Sequence, residues 1–231
     1  MFQKQSAFTL AETLITVAII GVVAAMTLPS IMQKYKNLEV ETKLKRIYSM
    51  MNQAILMSEI DNGPKEEWDT CNTDCQWYYE KYFSPYLREL KTVEINTSLY
   101  SYAMYFMDGT LLIGKNNTNT GMVDFFFYPN AKIYTDSGFA TIPDANSTAI
   151  QRVDAGKTYF AFSFDPSNSS NKYHYKKGFE TFKFNLSYIS AENLKSGSWS
   201  CIEGGKNALY CTALIELNNW KIPDDYPFKV K

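Results

Sequence analysis

The sequence predicts an α+β protein in which a long N-terminal helix carries a globular head built on an antiparallel β-sheet. Three observations predict it. Residues 8–28, FTLAETLITVAIIGVVAAMTL, form an apolar stretch broken by a single charge, Glu12. After Pro29, apolar residues recur at steps of three and four, at Val40, Leu44, Ile47, Tyr48, Met51 and Ile55, which is the spacing of an amphipathic helix. Further on the period drops to two. Phe160, Phe162 and Phe164 alternate with Ala161 and Ser163, and Phe182, Phe184 and Leu186 alternate with Lys183 and Asn185, as in half-buried strands of an antiparallel sheet.

The apolar stretch, preceded by the seven-residue leader MFQKQSA, is long enough to cross a bilayer as a helix at about 1.5 Å per residue. A carboxylate at the centre of such a run costs on the order of 2.5–3.5 kcal/mol, so Glu12 asks for a partner charge that a simple anchor does not need. Gly21 and Ala25 lie four apart, with Ala18 and Ala24 nearby. That small-xxx-small pattern lets helix backbones approach in lipid, although Gly and Ala are also ordinary residues of membrane helices. Pro29 withholds the amide that would bond the Ala25 carbonyl and favours a kink. Lys43, Arg46, Ser49 and Gln53 fall on the polar side of the second half, and Asp61-Asn62-Gly63-Pro64 stops the helix. Residues 8–60 thus read as one helix of roughly 80 Å, with its second half seated on the apolar face of the sheet.

The head spans 61–231, enough for one domain with its own core. Helical spacing persists over 77–90, where Ser84-Pro85 reads as the cap and first turn of a fresh short helix. Residues 100–107 and 110–113 flank Asp108-Gly109 and read as a β-hairpin. Segments 115–121, 143–148 and 165–171 are rich in Asn, Ser and Thr and read as exposed loops, with N-x-S/T triplets at Asn146 and Asn168. Cys71 and Cys75 sit in a polar loop, and Cys201 and Cys211 flank a Gly-Gly turn. In an exported chain this suggests two local disulfides, Cys71 to Cys75 and Cys201 to Cys211, although four cysteines allow three connectivities. The rival, a four-cysteine zinc site, would want CxxC pairs.

Composition narrows the function. A net charge of −1 gives no field that would draw the protein to nucleic acid. There is no Gly-rich phosphate loop or metal-spaced His/Cys cluster, and the single histidine, His174, lies in a polar Tyr/Lys setting. Nothing here argues for an enzyme, and no catalytic residue and no cofactor are expected. The aromatic content of 16% raises a sugar-binding surface at Tyr128, Tyr173 and Tyr175, against which stands the ordinary fitness of Tyr and Phe for strands.

The N-terminal region resembles that of the bacterial type IV pilins and the pseudopilins of type II secretion. The resemblance rests on Lys4 in a short leader, Ala7 before the cut, Phe8, Thr9 and Leu10 after it, Glu12, and Pro29 closing the segment. It covers about the first 30 residues and departs from the family at Ala7, where Gly is usual. It implies a pilin-like fold, cleavage by a prepilin peptidase between Ala7 and Phe8, N-methylation of Phe8, and retention of the apolar helix, which an ordinary secretory signal would lose. It also implies that Glu12 meets the amine of a neighbouring subunit as the helices bundle in a filament core. Such a desolvated pair sets register more than strength. The partners implied are the prepilin peptidase, other pilin or pseudopilin subunits, an inner-membrane assembly platform and membrane lipid.

Some pseudopilins bind calcium in a late loop, for which Asp224 and Asp225 are the candidates here; two carboxylates fall short of a six-to-eight oxygen shell. The resemblance places the N-terminus in the cytoplasm and the head in the periplasm. Lys34, Lys36, Lys43, Lys45 and Arg46 follow the span and pull the other way under the positive-inside tendency, but the cysteines and the processing site favour an outside head. The alternative is a secreted or anchored binding protein, with Val23-Ala24-Ala25 as a signal-peptidase site and Met26 as first residue.

Overall fold

The computed structural model describes residues 9–71, 75–94, 100–116, 122–136, 154–166, 178–186, 188–205 and 207–231. Helix α1 runs without interruption over Leu10–Asn62, with Thr9 as its N-cap and Pro29 inside it. It ends at Gly63, whose φ of 81° is left-handed, followed by Pro64, which cannot continue a helix. The expected apolar stripe is the buried one: Val40, Leu44, Ile47, Met51 and Ile55 are joined by Ala54 and Ser58. Tyr48 is half-buried, its ring 4.9 Å from that of Trp220.

The head is a six-stranded antiparallel sheet whose strands pair in chain order: β1 (Glu89–Glu94), β2 (Tyr100–Phe106), β3 (Leu111–Asn116), β4 (Val123–Tyr128), β5 (Phe160–Phe164) and β6 (Phe179–Thr181). The β2–β3 hairpin turns at Asp108-Gly109 as the sequence predicts. Asp108 Oδ1 accepts from the Thr110 amide at 3.2 Å and the Thr110 hydroxyl at 2.7 Å, and Gly109 takes a φ of 76°. One face of the sheet, including Met104, Leu112, Phe125, Phe127, Phe162 and Phe179, shares a core with the α1 stripe and with α2 (Gln76–Tyr82). The other face, including Ala103, Leu111, Ile113, Phe126 and Ala161, is covered by α5 (Cys211–Leu217) and the chain around Cys201. The described residues also hold two short helices, α3 (Ala131–Asp136) and α4 (Ala191–Leu194).

Covering both faces changes one expectation. Strand β5 is buried along its whole length, Ala161 and Ser163 included, and its alternation places Phe160, Phe162 and Phe164 in the core shared with α1 and Ala161 in the core under α5. Two further expectations fail. The fresh helix from Ser84-Pro85 is a single 3-10 turn, Ser84–Tyr86, and Glu89 already pairs with Phe106 as a strand. Local helical spacing loses there to ladder hydrogen bonds with β2. Residues 182–186 do not form a strand. After Phe182, whose amide donates to the Ala161 carbonyl at 3.1 Å, the chain turns, with the Leu186 amide on the Lys183 carbonyl at 3.3 Å and Asn185 left-handed at φ 64°. Phe182 and Phe184 instead flank Trp199, at 5.9 and 5.6 Å between ring centroids.

Three polar contacts lock α1 to the sheet edge. Asn52 acts as a side-chain surrogate for a neighbouring strand: its Nδ2 donates to the Phe179 carbonyl at 2.9 Å and its Oδ1 accepts from the Phe179 amide at 3.0 Å. The Tyr48 hydroxyl donates to Glu180 Oε1 at 3.3 Å. Glu180 in turn belongs to a buried network, with Lys183 Nζ at 3.0 Å from Glu180 Oε2 and at 2.6 Å from Glu216 Oε2 on α5. Burial pulls the Lys183 pKa down, but the two carboxylates outweigh it and hold the ammonium above the usual lysine range.

Gly114 marks a close approach. On the face toward α1 it stands opposite Tyr102, whose ring lies where a Cβ would be: an added methyl would sit 2.5 Å from Tyr102 Cε2. Gly114→Ala is expected to destabilise the head by about 1–3 kcal/mol, the range for overpacking a full core. Chemical denaturation reads this, and an unchanged midpoint would mean that the Tyr102 ring moves freely aside.

Candidate functional site

Among the described residues, the apolar side chains of the first half of α1 are the ones that the fold leaves uncovered. Leu10 is 80% exposed, Ile20 67% and Met26 75%, and the exposed apolar side chains continue through Ile31, Met32, Tyr35 and Leu38 to the first buried contact at Val40. A Cβ built on Gly21 meets nothing within 4 Å, so the face carrying the Gly21/Ala25 pair is open. At about 1.5 Å per residue the rod from Leu10 to Glu39 is roughly 45 Å long, longer than the apolar span alone, and it meets the head only near its end, through Gln33. The helix is long and apolar enough to cross a membrane.

The threonines and the acid of the apolar span are satisfied within it. Thr13 Oγ1 donates to the Leu10 carbonyl at 2.8 Å, Thr16 Oγ1 to Thr13 at 2.9 Å, and Thr27 Oγ1 to Val23 at 2.9 Å. These back-bonds suit hydrocarbon, where a lone hydroxyl finds no water. Glu12 closes a capping box with Thr9. Its Oε2 accepts from the Thr9 amide and the Thr9 hydroxyl, both at 2.8 Å, while the Glu12 amide donates to Thr9 Oγ1 at 3.3 Å. The acid thus caps its own helix, which spacing within the apolar run did not disclose, although the pattern T-x-x-E was there to be read. Ala7 and Phe8 lie outside the described residues.

The other candidate residues are distributed through the head. Cys71–Cys75 and Cys201–Cys211 are both disulfides, with Cα atoms 5.6 and 4.8 Å apart, and among the described residues no cysteine is free. The zinc alternative therefore has no thiolates to use. Cys201 and Cys211 are buried, and their disulfide staples the chain around Cys201 to α5 within the layer that covers the sheet. Tyr128, expected in or near a loop, is instead a buried β4 residue with its ring 5.5 Å from Tyr159; Tyr173, Tyr175 and His174 lie outside the described residues, as do most of the expected loops and both N-x-S/T asparagines. Asp224 is exposed, and Asp225 is paired with Lys195 at 2.6 Å, whose hydrogen bond holds the carboxyl below the usual range. Among the described residues no group of three or more His, Cys, Asp or Glu side chains is placed to hold a metal ion.

The exposed rod and the head correspond to two separate family matches. A model described as a family of unknown function, DUF6613, matches residues 30–230. The chain belongs to that family. In this DUF6613 chain a second model, the prokaryotic N-terminal methylation motif, matches residues 2–28. That motif is the prepilin-type cleavage and methylation signal of type IV pilins and pseudopilins, and with the long helix and antiparallel sheet it makes this a pilin-like protein. No curated protein and no solved structure matches the chain. The boundary between the two matches falls at Pro29, where the apolar rod gives way to the amphipathic half of α1.

Proposed function

We propose that this protein is a structural subunit of a type IV pilus or a type II secretion pseudopilus. The observation that carries this reading is the continuity of one helix through both family matches. The methylation motif leads directly into a rod whose apolar surface none of the described residues covers, and a filament core of similar rods is what would cover it. In this reading a prepilin peptidase cuts between Ala7 and Phe8 and methylates Phe8. The rod holds the protein in the inner membrane with the head outside, where an oxidising periplasm suits two disulfides. An assembly platform then lifts it into a filament. Gly21 and Ala25 let neighbouring helices close up, Pro29 softens α1 between rod and head, and Glu12 sets axial register against the next subunit's amine.

Mass spectrometry of the protein purified from a host carrying a prepilin peptidase is expected to find an N-terminus at methylated Phe8. A chain beginning at Met26, or one still beginning at Met1 in such a host, would overturn the reading.

A further inference from the structure

The base of the head gathers lysines from two ends of the chain. Lys34 and Lys36 are exposed on α1 just beyond the apolar span. Gln33 between them and the span donates from Nε2 to the Val230 carbonyl at 3.3 Å, so the last residues of the chain are tied to α1 at this level. Val230 is buried in the core, the Lys231 amide donates to the Lys157 carbonyl at 3.0 Å, and the Tyr226 hydroxyl donates to the Gly156 carbonyl at 2.7 Å. That stretch is therefore held in place, with Lys229 and Lys231 exposed on either side of buried Val230. Among the described residues none of these four lysines is in an ion pair. The nearest acids on α1 are engaged elsewhere: Glu39 pairs with Lys43 at 2.6 Å, and Glu41 accepts from the Ile222 amide at 2.8 Å.

We infer that Lys34, Lys36, Lys229 and Lys231 form a collar that binds the anionic headgroups of the membrane in which the rod is anchored. This rests on the membrane-anchor part of the proposed function. The axial position selects lipid over a protein partner. Lys34 and Lys36 lie six and eight residues past Leu28, about 9 and 12 Å along the helix, and the polar layer outside the hydrocarbon core is about 5–8 Å thick. Flexible lysine stems span the difference. Juxtamembrane lysines attract anionic lipid whichever leaflet they face, so the collar also gives the basic residues after the span a role that does not depend on orientation. Before assembly it would seat the head upright on the bilayer, and leaving the membrane would mean giving up those headgroup contacts.

The test uses the full chain reconstituted in nanodiscs of phosphatidylcholine alone or with about one third phosphatidylglycerol, and amine-reactive footprinting of individual lysines read by mass spectrometry. With phosphatidylglycerol, labelling of the four collar lysines should slow about tenfold and recover in 0.5 M salt (on the order of a 4 Å Debye length), while Lys81, next to α2's C-terminal end, labels alike in both discs. Equal labelling in the two discs would overturn the collar. So would slow labelling in both discs that depends on the number of copies per disc, which assigns the lysines to a second copy of the chain. A chain that is not retained in either disc fails before labelling and sinks the anchor itself.

Discussion

Glu12→Gln is expected to leave membrane insertion intact and to reduce filament incorporation by about two orders of magnitude or more, the equivalent of stranding one buried charge. The choice of Gln follows from the geometry at the start of α1. Glu12 Oε2 accepts from the Thr9 amide and hydroxyl, and a Gln carbonyl can accept the same two bonds, so the substitution removes the charge while keeping the capping box. Glu12→Leu removes both. If charge sets register between subunits, the two variants fail alike. If Glu12 serves only to cap its own helix, Gln assembles normally and Leu alone is impaired. Normal incorporation of Glu12→Gln, measured as the ratio of filament-associated to membrane-bound protein, would therefore refute the assembly role proposed for this residue.

Lys183→Met is expected to destabilise the head by about 3–5 kcal/mol, because it leaves Glu180 and Glu216 facing each other without the cation between them. The side chains of Lys183 and Glu180 are only 7% and 8% exposed, so water screens their loss poorly; Glu216 is more open at 23%, which favours the lower end of that range. Replacing the whole triad at once, with Lys183→Met, Glu180→Gln and Glu216→Gln, should recover most of the loss, since a buried ion network adds little over a neutral replacement. The pH dependence has a definite sign. The folded Lys183 binds its proton more tightly than an unfolded lysine, so its contribution is complete below about pH 10.4 and is lost as pH rises through the folded pKa. Denaturation curves should show the gap between wild type and Lys183→Met closing at strongly alkaline pH. A constant gap across that range would mean that Met packs badly and that charge is not the cause.

Several features of the fold were legible in the residues themselves because each arises from neighbours a few positions apart. The α1 stripe from Val40 to Ile55 follows from 3.6-residue periodicity, the stop at Gly63-Pro64 from backbone chemistry, and the Asp108-Gly109 hairpin from turn preference. Both disulfides agree with the local pairing suggested by spacing. Where the reading failed, a local signal had two outcomes. Of the alternating Phe182, Phe184 and Leu186, the two phenylalanines pack around Trp199 in a turn, while Lys183 points back to Glu180 and Glu216. Ser84-Pro85 opened one 3-10 turn because the next residues were claimed by pairing with β2.

The candidate site divides along the same line. An apolar rod with one acid near its start, small residues at one spacing and a proline at its end can be recognised without any structure, because hydrophobicity and helix geometry act along the chain. That the rod stays uncovered to Leu38, that Asn52 seals the β6 edge, that a lysine is buried between two carboxylates, and that Lys229 and Lys231 join Lys34 and Lys36 at the base are matters of tertiary packing. Each joins residues far apart in sequence. Whether a polar group is stranded or satisfied depends on what the rest of the fold brings against it, and no window of sequence carries that information.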